Sequence, residues 1–167
     1  MNIKKIISIM AVLIWMGVVF SFSNQQGESS SSTSRKVSQI IVNIINIQGN
    51  YTKPEKEEMV KQIEPVIRKL AHYTIYAIGG IVIANCVYQF CSKEKLLIGT
   101  STIIGIVYAI SDELHQLMVA GRSGNIKDVI IDSLGVITGI VFFLLTREIY
   151  KKIIQTEKKE KNNNLES

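Results

Sequence analysis

Cysteine and histidine are scarce in this sequence, with two residues of each among 167. Neither a paired C-x-x-C nor an H-E-x-x-H motif is present, so the usual zinc-binding patterns are excluded. Cys86 and Cys91 are five residues apart and point in different directions on a helix. We expect both to be free thiols, because disulfides are rare on the reduced side of a membrane. No metal and no cofactor is predicted from these residues.

The sequence also lacks the basic stripe on a soluble motif that nucleic-acid binding requires. Its net charge is +5, but the lysines and arginines flank hydrophobic stretches or fill a mixed-sign tail, and 47% of the residues are hydrophobic. This combination is typical of a small membrane protein whose basic residues meet anionic headgroups. Nucleic acid is therefore not an expected partner, and the length fits one domain.

Four hydrophobic stretches predict transmembrane helices, because about 17–25 apolar residues are needed to cross a bilayer. The stretches are residues 6–22, 71–90, 96–119 and 129–145. The third is apolar only to Ile110, and we expect its helix to continue through Asp112 to Val119. A cleaved signal peptide is the alternative for the first stretch, but we favour a retained helix because the stretch is long for a signal.

The predicted fold class is all-α: an integral membrane bundle of about four transmembrane helices, with an extracytoplasmic helical loop between spans 1 and 2. Residues 1–148 form the membrane domain, and residues 149–167 are a basic, polar tail expected to be disordered. In the loop, a serine run ending at Ser34 predicts a flexible segment. Helical spacing from Val37 to Ile47 predicts an amphipathic helix. A turn at Gly49-Asn50 and a second helix, Glu55–Glu64, follow.

Flanking charge predicts the orientation of the spans, because cytoplasmic loops carry an excess of lysine and arginine. One set of basic residues falls on a single side of the predicted bundle: Lys4, Lys5, Lys93, Lys95, Arg147, Lys151 and Lys152. The opposite side also carries lysines and arginines, and the glutamates of the first loop offset only some of that charge, because acidic residues count for little in this rule. We expect both termini in the cytoplasm, which places the polar loop and the acidic residues outside the cell.

A stripe of polar residues opens the second span, where Arg68, His72 and Tyr76 are spaced four apart and share a helix face. These three groups would line a polar cleft. The alternative for Arg68 and its neighbour Lys69 is that they reach the headgroups as ordinary interfacial residues. For His72 we favour a functional role, because histidines within a membrane usually have a partner.

The third span ends in a second group of ionisable residues. Asp112 and His115 share one helix face, and Glu113 and Gln116 share another. A carboxylate beside an imidazole can orient it and make a general base. The same groups could hold a metal, or they could lock the helices together without any chemistry.

The connection to the fourth span contains a glycine-rich turn, Gly121-Arg122-Ser123-Gly124. Arg122 could clamp a phosphate or carboxylate, or pair with Asp112 or Glu113. Asp128 and Asp132 follow one helical turn apart, with Asp132 among apolar residues. After them, Gly135-x-x-x-Gly139 predicts a face for close helix packing.

In order along the chain, these motifs resemble the VanZ family, whose name comes from a membrane protein associated with teicoplanin resistance. The resemblance rests on R-K-x-A-H at residues 68–72, D-E-x-H-Q at residues 112–116 and G-R at residues 121–122, and it extends from the first span to about Leu145. It is supported by the residues of the Phe22–Gly27 segment and by Gly135 and Gly139. It implies functional roles for Arg68, Lys69, His72, Glu113, His115, Gln116, Arg122, Asp128 and Asp132.

The resemblance implies an envelope protein of a bacterial plasma membrane that lowers susceptibility to teicoplanin. We expect an outward-facing polar site that binds an anionic, lipid-linked ligand, with Arg68, Lys69 and Arg122 holding its phosphate or carboxylate groups. The expected partners are the lipid bilayer and a lipid-linked cell-wall precursor or lipoglycopeptide, and an oligomer is left open.

The alternative is a membrane enzyme acting on an envelope lipid or cell-wall precursor. Glu113 or His115 would be its general base, His72 their partner and Arg122 an anion stabiliser. Neither a serine nor a cysteine nucleophile stands in a recognisable setting, which disfavours this alternative. A carrier is disfavoured further, since the four spans show no internal repeat.

Overall fold

The computed structural model describes residues 2–24, 27–46, 49, 51–119, 121 and 124–166, excepting the side chains of residues 27–31 and 160–166. These residues form five α-helices: α1 (Ile3–Ser23), α2 (Gly27–Ile45), α3 (Lys53–Phe90), α4 (Glu94–Gln116) and α5 (Ile126–Glu166). No strand occurs in the described part of the chain. Helices α1, α3, α4 and α5 are long and apolar enough to cross a membrane. The predicted all-α bundle with about four spans is confirmed.

Helix α1 is joined to the rest of the bundle through Trp15, which is 6% exposed. The indole N–H donates to the carbonyl oxygen of Ile75 in α3 at 2.9 Å. Its ring also meets Tyr76 edge-on, with 5.8 Å between ring centroids, and lies 5.0 Å from the ring of Tyr108 in α4. A Cβ atom on Gly79 would lie 2.1 Å from Trp15 Cζ2, so this glycine makes room for the indole. These contacts attach α1 to both α3 and α4.

Helices α3 and α5 cross at backbone contact. A Cβ atom on Gly139 would lie 1.9 Å from the Ala77 carbonyl oxygen, and one on Gly135 would lie 2.4 Å from that of Tyr73. On the opposing helix, a Cβ on Gly80 would lie 2.2 Å from the carbonyl oxygen of Val136. Small residues drive helix association in lipid by letting backbones approach closely. The predicted role of Gly135 and Gly139 is confirmed.

The long polar segment between the first two spans is more regular than the sequence predicts. Helix α2 begins at Gly27, so the serine run expected to be flexible is helical. Ser38 donates back to the Ser34 carbonyl oxygen at 2.9 Å, which satisfies one hydroxyl inside the helix. Val42 of α2 and Val60 of α3 are buried, and Arg35 pairs with Glu57 across the two helices. Packing on α3 therefore overrides the weak helix propensity of serine.

The predicted Glu55–Glu64 helix and the second span are one continuous helix, α3, which runs through Pro65. Glu55 caps its start by accepting a hydrogen bond from the Thr52 N–H at 2.7 Å. Proline removes one backbone donor from the helix interior, but the turns on either side stay paired. Gly49 has φ +73° in the turn before α3, as expected for a left-handed turn glycine, while Asn50 lies outside the described residues.

Helices α4 and α5 differ from their predicted lengths. Helix α4 ends at Gln116 and not at Val119, because the Met118 N–H turns back to the His115 carbonyl oxygen at 2.9 Å. Helix α5 continues to Glu166, through the tail that the sequence predicts to be disordered. Exposed pairs such as Lys151–Glu148, at 2.7 Å, lie along this extension, and pairs three residues apart support helices modestly.

The two ends of the bundle have different chemistry. At one end, the Lys5 ammonium lies 4.8 Å from the centre of the Phe90 ring, and the Arg147 guanidinium lies 4.8 Å from that of Tyr88. These contacts place the start of α1, the end of α3 and the middle of α5 together. The opposite end gathers the end of α4 and the start of α5 beside the middle of α3. The basic flanks therefore share one end, and the polar motifs share the other.

Candidate functional site

Three helices bring one polar residue each to the same point at the polar end of the bundle: His72 of α3, Asp112 of α4 and Asp132 of α5. One ligand atom from each lies within 4.8 Å of the others. The close crossing of α3 and α5 explains this convergence. Gly135, one turn after Asp132 in α5, packs on the carbonyl oxygen of Tyr73, which follows His72 in α3. Residues 60 positions apart in sequence are thereby brought into one cluster.

Asp132 is the most enclosed member of this cluster, with 1% of its surface exposed. His72 Nδ1 lies 3.7 Å from Asp132 Oδ1, an ion-pair distance that is long for a hydrogen bond. Within the described part of the chain, neither carboxylate oxygen of Asp132 receives a hydrogen bond. Buried carboxylates normally accept several such bonds, so hydrogen bonds from the described residues do little to compensate the charge of Asp132.

Asp112 is also buried, at 5% exposure. Gln116, one turn further along α4, donates to Asp112 Oδ2 at 3.0 Å and so fixes the orientation of the carboxylate. Two buried carboxylates so close together repel each other unless a proton or cation lies between them. With the His72 imidazole beside them, the three side chains form a donor set that could hold a metal ion.

A polar cavity of about 230 Å³ opens next to this cluster. It contains six of the predicted site residues: Arg68, Lys69, His72, Gln116, Asp128 and Asp132. Pro65, Gly121, Asn125 and Ile131 are further described residues of its wall. Both signs of charge therefore face one cavity, with two cationic side chains on α3 opposite two carboxylates on α5.

A second cavity of about 230 Å³ lies on the other side of Arg68 and His72, between α1, α2 and α3. Its wall is mainly apolar and includes Val19, Phe22, Ala71 and Ile75, together with Ser23, Thr33, Ser34 and Asp112. Arg68 and His72 line both cavities. Sequence reasoning missed this apolar cavity: Phe22 and Ser23 belong to the Phe22–Gly27 segment, but no local pattern shows that α1, α2 and α3 meet there.

Arg68 is the cation at the junction of the two cavities. Its guanidinium lies 3.7 Å from Glu64 Oε1, one turn earlier in α3, and its side chain is 41% exposed. The Glu64 side chain is 17% exposed, so the Arg68 guanidinium lies at the border between the protein interior and the two cavities. Lys69 is exposed and lines only the polar cavity.

Glu113 and His115, the predicted general bases, lie outside the walls of both cavities. Glu113 is buried, and its Oε1 accepts a hydrogen bond from the Asn125 N–H, which ties the loop after α4 to that helix. His115 stacks on Phe20 of α1, with ring centroids 4.7 Å apart. Neither side chain belongs to the cluster of His72, Asp112 and Asp132.

Arg122 lies outside the described residues, so its predicted role as an anion clamp stays a prediction. Its neighbours Gly121 and Asn125 line the polar cavity. Tyr76, predicted as the third member of the α3 stripe, is fully buried and contacts Trp15. Its hydroxyl receives no hydrogen bond in the described part of the chain.

Comparison with known proteins agrees with the sequence motifs. The family model described as VanZ/LLP1 matches residues 8–147. That range includes parts of all four spans, and it contains the residues named above in the walls of both cavities and in the polar cluster. Among curated proteins and among solved structures, none matches this chain. The chain is a multi-pass membrane protein that belongs to the VanZ/LLP1 family.

Proposed function

We propose that this protein binds an anionic, lipid-linked ligand at the polar end of its bundle. The polar end faces the outside of a bacterial plasma membrane, both termini are cytoplasmic, and binding lowers susceptibility to teicoplanin. The observation that carries this proposal is the pair of cavities, one polar and one apolar, that meet at Arg68 and His72.

The polar cavity suits the headgroup of such a ligand. Arg68 and Lys69 supply positive charge from adjacent positions of α3, and the Gln116 amide offers a further donor. Arginine binds phosphate and carboxylate oxygens with two parallel hydrogen bonds, so it gives direction as well as charge. Asp128 and Asp132, on the opposite wall, restrict which anions fit, since they repel any that approach α5.

The apolar cavity suits the hydrocarbon part of the same molecule. Val19, Phe22 and Ile75 provide aliphatic and aromatic surface directly beside Arg68. Binding sites are usually apolar cavities with a few convergent polar groups. A ligand with a charged head and a long chain would fill both cavities at once. Teicoplanin carries an acyl chain that sits in lipid, and lipid-linked cell-wall precursors share the combination of chain and phosphate.

The same geometry favours binding over general-base catalysis. Of the three predicted catalytic residues, only His72 lines the cavities. Glu113 is already engaged with the Asn125 N–H, and His115 is stacked on Phe20. A general base must come within hydrogen-bonding reach of the proton that it removes. Glu113 therefore holds the loop after α4, and His115 packs against α1.

The first experiment measures binding by the purified protein in lipid nanodiscs. The probe is a polyprenyl phosphate, with the uncharged polyprenol and inorganic phosphate as probes of the chain and the headgroup alone. We expect the polyprenyl phosphate to bind at least about tenfold more tightly than either part, a difference of about 1.4 kcal/mol. Equal binding of the polyprenol would contradict the headgroup assignment.

Arginine variants test where the ligand sits. Arg68→Ala should weaken binding of the polyprenyl phosphate by about tenfold or more, as expected for a charge-assisted contact. Arg35→Ala is the matched control, because Arg35 is exposed on α2 and lies outside both cavities. Equal affinity of the parent and Arg68→Ala would rule out the proposed site.

The antibiotic role requires its own measurement. A sensitive Gram-positive host expressing the chain should tolerate teicoplanin more than vancomycin, relative to the host alone. Arg68→Ala and Arg122→Ala should lose this tolerance at equal abundance, and Arg35→Ala should keep it. Binding without any change in susceptibility would separate the ligand site from the antibiotic role.

A further inference from the structure

We propose that His72, Asp112 and Asp132 form a binding site for one divalent metal ion, with Zn²⁺ and Mn²⁺ as the ions that suit the donors. The three side chains come from three helices, and their ligand atoms lie within 4.8 Å of one another. The sequence predicts no metal here, because its ligands are 40 and 20 residues apart and match no metal-binding spacing.

Asp132 provides an independent reason to place a cation at this point. It is 1% exposed, and neither of its oxygens receives a hydrogen bond within the described part of the chain. Removing a carboxylate from water without such partners is costly, and buried charges are normally paired or bound to a metal. His72 alone, at 3.7 Å, does not provide a hydrogen bond.

The charge balance of the cluster also favours a bound cation. Asp112 and Asp132 are both buried and share one small volume, and Glu113 is buried on the same helix as Asp112. The only cationic group facing Asp112 and Asp132 at ion-pair distance among the described residues is the His72 imidazole, which is charged only when protonated. A divalent ion would neutralise both aspartates, displacing any proton that they share, and His72 would bind it as the neutral imidazole.

The donor set restricts the identity of the ion. One imidazole nitrogen and two carboxylate oxygens, without sulfur, suit Zn²⁺ or Mn²⁺ better than Cu⁺, which prefers thiolates. Bonds of about 2.0–2.2 Å from the metal to each ligand would require the three ligand atoms to lie somewhat closer together than they do in this structure. The hydrogen bond from Gln116 to Asp112 Oδ2 holds one ligand in place, as partners of ligating carboxylates commonly do.

Three protein ligands leave a coordination position open toward the polar cavity, which His72 and Asp132 also line. An anionic oxygen of the ligand proposed above could complete the coordination. This last step rests on the proposed function, but uptake of the metal does not, and the two are separable by experiment.

Metal uptake is measured on the purified full chain in detergent, free of phosphate and of lipid phosphates. After equilibrium dialysis against Zn²⁺ or Mn²⁺, elemental analysis should find about one tightly held ion per chain. His72→Gln, Asp112→Asn and Asp132→Asn should each weaken uptake at least about tenfold, since each removes one of three ligands. Mn²⁺ bound to the parent should give an electron paramagnetic resonance spectrum that these variants lose.

Asp128→Asn is the matched control, because Asp128 lines the same cavity but is not one of the three ligands. It should retain the uptake of the parent, while size-exclusion chromatography checks that every variant is folded. Equal loss in Asp128→Asn and Asp132→Asn, or no uptake by the parent, would overturn the metal site. Polyprenyl phosphate binding in the presence of a chelator would then show that the proposed function stands without the metal.

Discussion

His72 Nδ1 and Asp132 Oδ1 lie 3.7 Å apart at the place where α3 and α5 come closest. The glycines that allow the helices to touch are one and two turns from Asp132, so the packing of the bundle and the geometry of the polar cluster are one structural feature. Charged residues within membrane helices usually face the protein interior and mark functional sites. Asp132 follows that rule, while the apolar side chains of Ile130 and Leu134, two positions to either side, are exposed.

Asp132→Asn separates a functional cluster from a polar lock between helices. Asparagine keeps the shape of the side chain but removes a buried charge that receives no hydrogen bond among the described residues. We expect the variant to be as stable as the parent in a chelating buffer, or more stable by about 1 kcal/mol, because the cost of burying the charge is gone. In a chain of this size that gain corresponds to about 2–4 °C in Tm.

The measurement is thermal unfolding in detergent, run beside teicoplanin susceptibility of cells that express the same variant. Asp128→Asn, partly exposed at the start of α5, is the control for the effect on unfolding of losing one negative charge. Tolerance should fall while stability does not. A drop in Tm of more than about 4 °C, a loss of over 1 kcal/mol, would instead show that Asp132 locks the helices.

Glu113 variants distinguish a general base from a residue that holds a loop. The Glu113 side chain accepts a hydrogen bond from the Asn125 N–H, and a glutamine oxygen can accept the same bond. We therefore expect Glu113→Gln to retain most of the teicoplanin tolerance and Glu113→Ala to lose it as the loop detaches. Removing one partner of a buried hydrogen bond costs about 1–3 kcal/mol, which unfolding experiments should register for alanine.

If Glu113 is the general base of an enzyme, the glutamine and alanine variants should not differ in activity. Glutamine cannot take up a proton, so Glu113→Gln would then be as inactive as Glu113→Ala while staying folded. A susceptibility assay on both variants at equal abundance decides between these outcomes.

The sequence predicts the fold well because the length of an apolar stretch indicates a membrane span, and the spacing of glycines indicates where two such helices pack. Both signals come from short segments: the apolar spans are continuous, and Gly135 and Gly139 are four residues apart. The missed features depend on tertiary contacts. The serine run ending at Ser34 favours a flexible segment by composition, yet it is helical because α2 packs on the part of α3 that precedes the membrane.

The candidate site was only partly predictable for the same reason. Spacing places Arg68, His72 and Tyr76 on one face of α3, and the polar cavity contains the first two. Spacing also suggests that Glu113 or His115 works with His72. The structure turns His115 toward Phe20 of α1, a contact between residues 95 positions apart that no local pattern encodes. Asp112, in contrast, faces α3 and α5 and joins His72.

Cysteine labelling tests the proposed orientation. Lys127 is exposed at the start of α5, and Lys152 is exposed beyond the apolar part of the same helix, on the side of the basic end of the bundle. Cys86 and Cys91 are replaced by serine to give a thiol-free background. In intact cells, a membrane-impermeant maleimide should label the Lys127→Cys variant. Lys152→Cys should be labelled only after permeabilisation, because the basic end is expected in the cytoplasm. The reverse labelling pattern would place the polar cluster inside the cell and contradict the proposed encounter with an extracellular antibiotic.

Gly139→Ala tests whether the glycine crossing of α3 and α5 supports the whole bundle. A methyl group there would lie 1.9 Å from the Ala77 carbonyl oxygen, so the helices must separate. Overpacking typically costs about 1–3 kcal/mol, and we expect Tm to fall by about 4–8 °C, given about 2–4 °C for each kcal/mol. Gly99→Ala is the matched control, because a Cβ on Gly99 meets nothing within 4 Å. Alanine favours a helix over glycine by up to about 1 kcal/mol, so that variant should be at least as stable as the parent. Gly139 lies two turns from Asp132 on the same helix and lines neither cavity. Gly139→Ala should therefore weaken ligand binding as well, by moving Asp132 relative to α3. Unchanged stability and binding would mean that backbone contact between α3 and α5 does not position the cluster.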